Sequence, residues 1–570
     1  MTAMKWWGWG LDGVAFTHED KPALGPFIHA HLGVDVTRRS ARPPAFAELE
    51  VPASRLDDEL LAALRAAVGG EHVSLEAEDR VVHARGKSLR DIVRQRRGDL
   101  PRIPDVVVRP GDEAAVTAVM EAALAADAVL IPFGGGSSIS GSLEPEPDEE
   151  RTVVSVDMVR LDGVLEIDAA SRTARVQAGV FGPALEEQLN ARGWTFGHFP
   201  DSFTHSTLGG WIATRSSGMQ SDRYGDIADL TRAVRVVTPS GILATRPVPS
   251  QSTGPGLREM VLGSEGRLGL ITEATVHVQR VAESRMILGY LFPSFGAGVA
   301  AMQEIAASEV SVSVTRVSDA AETLFSFATK KRSSPVDKLK SKAMAIFLTR
   351  RKGFDLAQMC LSFIGYEGTA AHVAIQRKAV GKIVARHGGL CIGSSPGELY
   401  DQKKFDTPYI RDFLLDCGTL GDVSETAAPW SALLDLHHAA GAAARAAFDR
   451  LGVRGYVMSH LSHSYHSGAC LYFTFAFAPA PGGADMLEQY DEVKSSVQQA
   501  FVDTGGTLSH HHAVGTEHAP WLEQDVSAPG VALLRALFDG ADPGANLNPG
   551  KITGSRTLAA RAGNRGSTAE

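Results

Sequence analysis

Two stretches of this chain concentrate residue types that do chemistry. The run Ser509-His-His-His512 sets three imidazoles in succession, and imidazole exchanges a proton near neutral pH. If the run is extended, alternate residues share a side, so His510 and His512 face together and His511 faces away. A metal site is the rival use of clustered histidines, but no carboxylate or cysteine at ligand spacing accompanies the run. The second stretch, Ala128-Val-Leu-Ile-Pro-Phe-Gly-Gly-Gly-Ser-Ser-Ile-Ser-Gly141, reads as a buried strand running into a glycine-rich loop. Backbone N–H groups of Gly134, Gly135 and Gly136 can form a concave nest for phosphate oxygens, with the hydroxyls of Ser137 and Ser138 as further donors. No Gly-Lys-Ser/Thr follows and the G-x-G-x-x-G spacing is missing, so the loop is neither a P-loop nor a Rossmann turn. A merely structural turn is the alternative.

Two later stretches make the loop more specific. They are Gly197 to Gly218, which contains Asp-Ser-Phe-Thr-His-Ser-Thr-Leu-Gly-Gly210, and Gly263-Ser-Glu-Gly-Arg-Leu-Gly-Leu-Ile-Thr-Glu273. Both supply hydroxyls, glycines for close backbone approach and alternating apolar residues. Three such loops suit a long ligand with a diphosphate centre and two ring systems. Arg316 and Arg411 are the candidate anion binders, because a guanidinium fork donates two hydrogen bonds to one phosphate. The bland reading pairs them with Asp319 and Asp412. Tyr472 sits in the strand-like Cys470-Leu-Tyr-Phe-Thr-Phe-Ala-Phe477, where a core aromatic is the default, and Tyr465 is a second candidate phenol.

The surrounding pattern says how these residues are carried. At 570 residues the chain holds two or three domains. A net charge of −10 leaves no basic surplus for nucleic acid. The four cysteines, Cys360, Cys391, Cys417 and Cys470, are far apart in sequence, as expected of reduced thiols in a cytoplasmic protein. No apolar run reaches the ~20 residues of a spanning helix, and no leader is seen at Met1. Residues 1–97 read as an N-terminal cover with one amphipathic helix, Asp57 to Val68. Between 98 and 281 strands alternate with helices, including Pro110 to Ala125 and Pro183 to Arg192. Residues 282–553 read as a sheet-and-helix cap, with strands at Val310 to Val317, Leu361 to Gly365 and Cys470 to Phe477. Residues 554–570 read as a flexible tail. The class is α+β.

The order of a glycine–serine loop, Asp-Ser-x-x-x-Ser-Thr-x-Gly-Gly and Gly-Ser-Glu-Gly-x-Leu-Gly-x-Ile-Thr-Glu resembles the vanillyl-alcohol oxidase flavoprotein family. Within it the chain is most similar to the alkyldihydroxyacetonephosphate synthase group of ether-lipid enzymes, from Lys5-Trp-Trp-Gly-Trp-Gly10 onward. The resemblance implies a two-subdomain FAD-binding (PCMH-type) domain and an α+β substrate cap. It implies that FAD is lined by Pro132, Phe133, Gly134, Gly135, Gly136, Ser137 and Ser138, then by Asp201, Ser202, Phe203, Thr204, His205, Ser206 and Thr207. Thr214, Arg215, Ser216 and Ser217 follow, and after them Glu265, Gly266, Arg267, Leu268, Gly269, Leu270 and Ile271, with His198 near the flavin. It further implies Arg411 as a substrate ligand and Tyr472, His510, His511, His512 and Arg316 as catalytic groups.

The activity so implied is transferase chemistry: the acyl group of a phosphorylated ketone lipid is exchanged for a fatty alcohol. The ending Asn546-Leu-Asn-Pro-Gly-Lys-Ile552 is similar to that of flavin 2-hydroxy-acid dehydrogenases and keeps an FAD-linked oxidoreductase as the alternative. A homodimer is a family expectation. The segment Lys330 to Lys352 is basic and amphipathic in an otherwise acidic chain, as expected of a peripheral membrane contact or of a solvated loop.

Overall fold

The computed structural model describes residues 4–331, 335–405 and 408–554. The expected tail therefore lies, beyond Gly554, outside the described residues. The run Val106-Val-Val108 is apolar at every position because its strand is buried on both faces. It pairs in parallel with Val153–Asp157, which pairs in parallel with Val129–Phe133, the strand that delivers the glycine loop. The connecting helix Glu113–Ala125 starts where Asp112 caps it, its carboxylate accepting the N–H of Ala115 at 2.8 Å. That helix buries Val116, Val119 and Met120 against the sheet and against Leu60 and Leu64 of helix Asp58–Val68.

A second, fully antiparallel sheet follows. Its order is Val164–Asp168, Thr173–Gln177, Leu270–His277, Thr231–Thr238 and Gly241–Ala244. The two sheets are the two subdomains expected of the cofactor domain. The cap is a seven-stranded antiparallel sheet with helices Phe295–Ala307, Ala370–Arg386, Leu433–Leu451 and Met486–Asp503 packed on one face. Strand Gly468–Phe477 shows how that sheet divides its labour: Leu471, Phe473 and Phe477 enter the core, while Tyr472, Thr474 and Ala476 line a cavity on the opposite face.

Three boundaries differ from the sequence expectation. The strand expected over 310–317 begins at Val314. Ser308 turns the preceding residues out of the ladder, since its Oγ donates to Ile305 O and accepts from Val310 N. The N-terminal region is more than a cover, because Trp9, Phe16, Phe27 and His31 form part of the cavity wall. Helix Leu24–Leu32 buries Leu24, Ile28 and Leu32 against Phe413.

Residues 546–552, expected in the cap, return to the first sheet. Leu130 N donates to Asn546 O at 2.7 Å and Asn548 N to Leu130 O at 2.9 Å, a parallel bridge on the edge of the glycine-loop strand. The Asn548 amide then donates to Ser142 O at 2.9 Å and Glu265 O at 2.7 Å, tying two cofactor-domain loops together.

Asn548→Ala strips those two buried carbonyls of their donor, at a cost of about 1–3 kcal/mol each. The variant is expected to unfold at a lower temperature than the parent in scanning calorimetry and to release the FAD that the resemblance implies earlier in the same scan.

Candidate active site

A cavity of about 840 Å³ runs from the glycine loop, between the cofactor subdomains and the cap, to the histidine run. At its cofactor end the chain is packed so closely that only glycine fits. A Cβ on Gly134 would lie 2.3 Å from Thr207 Oγ1, and one on Gly135 would lie 1.8 Å from His205 O. Gly136 has φ +69°, in the left-handed region. The loop is thus pressed edge-on against Thr207 while Pro132 to Ser138 border the cavity. A bare cradle of this kind fits a diphosphate, and the length of the cavity fits a dinucleotide.

Of the expected cofactor residues, Pro132 to Ser138, Asp201, Ser202, Ser206, Thr207, Thr214, Ser216, Ser217, Glu265, Gly266, Gly269 and Ile271 border this cavity. The others stand behind it. His198 is buried one layer back, its Nε2 3.2 Å from Ser216 Oγ, and burial pulls its pKa down to about 3, so the ring is neutral. Phe203 stacks on Phe405 with ring centroids 5.1 Å apart, and Thr204 and His205 share its short turn. Arg215 points outward to Glu259. Arg267 lies over the Phe538 ring at 4.7 Å, while Leu268 and Leu270 belong to hydrophobic clusters.

The histidine run is not extended. The carboxylate of Glu425, from strand Leu420–Pro429, accepts the backbone N–H groups of His510 at 2.6 Å and of His511 and His512 at 3.0 Å, together with Ser509 Oγ at 2.7 Å. The loop curls around that one buried charge. His511 and His512 consequently line the cavity, and His510 turns away to Tyr465, its Nε2 2.6 Å from the phenol oxygen. His512 thus shares its side with His511 rather than with His510, the partner expected from an extended run.

The fold also supplies what the local sequence lacked. Glu425 and Cys470 come within 4.8 Å of ligand atoms of His510 and His511. The Glu425 oxygens are already spent on the loop, and burial pushes the Cys470 thiol well above its ordinary range, so the pair supports the loop rather than offering ready metal donors. Burial opposes ionisation of Glu425, yet the surrounding imidazoles and backbone N–H groups hold its carboxyl well below the ordinary value.

Burial lowers the pKa of His511 well below its usual value and also lowers that of His512, so both are neutral bases. Tyr472 lies between His460, with centroids 5.0 Å apart and 20° between planes, and His511, at 6.0 Å and 16°. Burial and nearby carboxylates push its phenol well above the usual range, so Tyr472 stays protonated and keeps a proton to donate. A protonated phenol beside a neutral imidazole gives the cavity a donor and an acceptor at one point.

Arg316 donates to Glu322 Oε1 at 2.8 Å, not to Asp319, and also borders the cavity. Arg411 gives Nη1 to the carbonyl of Lys87. Its Nε and Nη2 are buried without a hydrogen-bond partner among the described residues. Those two atoms form the guanidinium edge that grips two oxygens at once, and the side chain lines the cavity. Sequence reasoning missed Glu425, His460 and His463. The last two lie three apart on strand Gly455–Ser464, and a register shift between Leu461 and His463 brings both to the cavity, so alternation would not have found the pair, and nothing near Glu425 announces its role.

Against known proteins, the chain is 37% identical to alkyldihydroxyacetonephosphate synthase of Dictyostelium discoideum, over 96% of this chain and 93% of that protein. The chain belongs to that synthase family. The synthase of Trypanosoma brucei brucei is 34% identical over 96% of this chain and 92% of its own length. A solved structure of an alkyldihydroxyacetonephosphate synthase superposes with a TM-score of 0.83 at 34% identity, covering 97% of this chain and 99% of that one. Residues 104–245 match the FAD binding domain model, and 281–552 match the C-terminal domain of FAD linked oxidases. The cofactor is FAD.

Gly135→Ala drives a methyl group into the His205 carbonyl and is expected to give protein with little or no flavin, measured as visible flavin absorbance per mole of chain. Ala substitution of the exposed Gly540, whose Cβ meets nothing within 4 Å, is the control expected to keep it.

Proposed function

We propose that the protein exchanges the acyl chain of acyl-dihydroxyacetone phosphate for a fatty alcohol, making an ether lipid precursor. The observation that carries this reading is the unspent Nε–Nη2 edge of Arg411, a residue that borders the same cavity as the Tyr472–His511 pair. A phosphomonoester held on that edge leaves its carbon chain to extend along a wall that includes Phe16, Phe27, Ile28, Leu32 and Phe325. FAD, when bound at the glycine cradle, supplies the electron-accepting ring that activates the carbon undergoing exchange.

The chain's own residues do the rest. In the net reaction the bond between that carbon and the acyl oxygen breaks, the acid leaves as carboxylate, and a bond to the alcohol oxygen forms. The alcohol proton is released, so electrons balance without an external acceptor. His511 is placed to receive a proton and Tyr472 to donate one at the reacting centre. The apolar walls exclude water that would otherwise compete with the alcohol.

The dehydrogenase alternative leaned on Asn546 to Ile552. In the structure that segment anchors loops, as Asn548 and Lys551 donate to the carbonyls of Ser142, Glu265 and Glu144, and this use is independent of substrate.

The lipid character of the substrates also supports a membrane contact through Lys330 to Lys352. Within the described part of this stretch, helix Pro335–Lys352 exposes Leu339, Ile346, Phe347 and Met344, and it ends in Arg350, Arg351 and Lys352. Thr329 and Lys331, just before the helix, border the cavity. No helix of the described residues is long and apolar enough to span a bilayer, so the contact is a surface one.

Incubation with acyl-dihydroxyacetone phosphate and labelled hexadecanol is expected to give labelled ether without net flavin reduction. Absence of ether together with flavin reduction by hydroxy acids would overturn the reading. Arg411→Ala is expected to raise KM for the phosphorylated ketone by about 10- to 100-fold, from the loss of charge-assisted hydrogen bonds, with the KM for alcohol little changed. Binding to anionic vesicles is expected to fall with salt and to be lost when Arg350, Arg351 and Lys352 are replaced by Gln, checked by co-sedimentation.

A further inference from the structure

A continuous line of side-chain hydrogen bonds leaves the cavity behind His511. His511 Nδ1 lies 2.9 Å from His510 Nδ1, His510 Nε2 lies 2.6 Å from Tyr465 Oη, and Tyr465 Oη lies 2.9 Å from Asp226 Oδ2. His511 borders the flavin cavity. Tyr465 borders a second cavity of about 310 Å³, where Asp222, Gly225 and Asp229 of the cofactor domain meet Ile305, Val310 and Val312 of the cap. The line therefore crosses the domain interface from one cavity to the other.

Donor counting fixes the protons along it. An ionised carboxylate only accepts, so Tyr465 donates its hydroxyl to Asp226. Its oxygen then accepts from His510 Nε2–H. A neutral His510 has its acceptor on Nδ1, so His511 must donate from Nδ1. The nearest other group to that nitrogen, Glu425 Oε2 at 3.7 Å, is also an acceptor. With His510 taken as neutral, His511 is left with a bare Nε2 as its acceptor, and every contact then has one donor and one acceptor.

We propose that Asp226, Tyr465 and His510 form a relay that holds His511 in the Nδ1–H tautomer and passes the reaction's proton to the second cavity. The proposal rests on the synthase reading for the source of that proton, the hydroxyl of the incoming alcohol, one per turnover. A proton taken on His511 Nε2 displaces the Nδ1 proton to His510. His510 releases its Nε2 proton to Tyr465, whose own proton goes to Asp226 or to water in the second cavity. Each hop breaks one N–H or O–H bond and makes another, and no co-reactant is needed. Tyr465, His510 and Asp226 act through His511, so they are positioning residues. Other titratable groups around the line are His463, Asp222, His198, Glu425, Cys470, Tyr472 and His512. His463 is neutral through burial and donates from Nε2 to Gly218 O at 3.0 Å, so it does not close the line elsewhere.

The test begins with ether formation by the parent holoenzyme, which stands or falls with the synthase reading alone. Tyr465→Ala and Asp226→Asn, each with parental flavin content, are then expected to lower kcat by about 10- to 100-fold, the lower range of acid–base effects, at KM within about twofold. Added imidazole should restore kcat of Tyr465→Ala by entering the vacated space, a rescue that a merely structural role would not show. Independently of turnover, nitrogen-15 spectra of histidine-labelled protein, assigned with His511→Gln, are expected to show His511 protonated at Nδ1 in the parent and mixed in Tyr465→Phe. Parental kcat in both variants, or an Nε2-protonated His511 in the parent, would overturn the relay. A fall in kcat that imidazole leaves untouched, with an unchanged His511 tautomer, would overturn it as well.

Discussion

One buried carboxylate sets the chemistry of the cavity. Glu425 draws three successive backbone N–H groups and a serine hydroxyl onto itself, and an extended run of histidines becomes a tight curl. A charge removed from water is tolerable only when its lone pairs are filled, and here the loop itself fills them. The curl decides which imidazoles reach the substrate space. It also explains why a strand of the cap, rather than the loop's own neighbours, dictates the outcome.

A second constraint works at the far end of the cavity. The glycine loop and the Thr207 turn approach so closely that neither can move without the other. Glu265 then ties this end to the histidines: its carboxylate accepts Ser142 Oγ at 2.5 Å and the N–H groups of Val514 at 3.0 Å and Gly515 at 2.9 Å, just beyond the histidine run. Cofactor loop and acid–base loop are thus held in one frame by buried carboxylates. Rigid support of this kind keeps reacting groups in register when a long, flexible lipid enters.

Much of this was legible in the residues. The glycine–serine stretch, the two later loops and the resemblance they carry led to the two-subdomain cofactor domain and the sheet-and-helix cap, and the amphipathic pattern over Asp57 to Val68 led to helix Asp58–Val68. What could not be read was direction. Alternation predicts facing only for an extended segment, so a loop folded around a distant Glu425 put His511 and His512 together. The same limit made Arg215, Arg267 and Leu268 look like cofactor contacts, though they point away from the cavity. Tyr465 was visible only as a secondary phenol because its partners, Asp226 and His510, lie 239 and 45 positions away. Residues 1–97 read only as a cover, and only the assembled structure shows Phe16 and Phe27 as cavity wall.

The return of Asn546 to Ile552 onto the edge of the first sheet has a consequence for how the molecule is made. Asn546 reaches the carbonyl of Ala128, 418 positions earlier. During synthesis the glycine-loop strand emerges long before its last neighbour exists, and its edge stays open while the entire cap is translated. An open strand edge next to apolar surface is a site for mispairing. The closing of this loop is a high-contact-order event: the glycine-loop strand gains its last neighbour only after the cap has been translated.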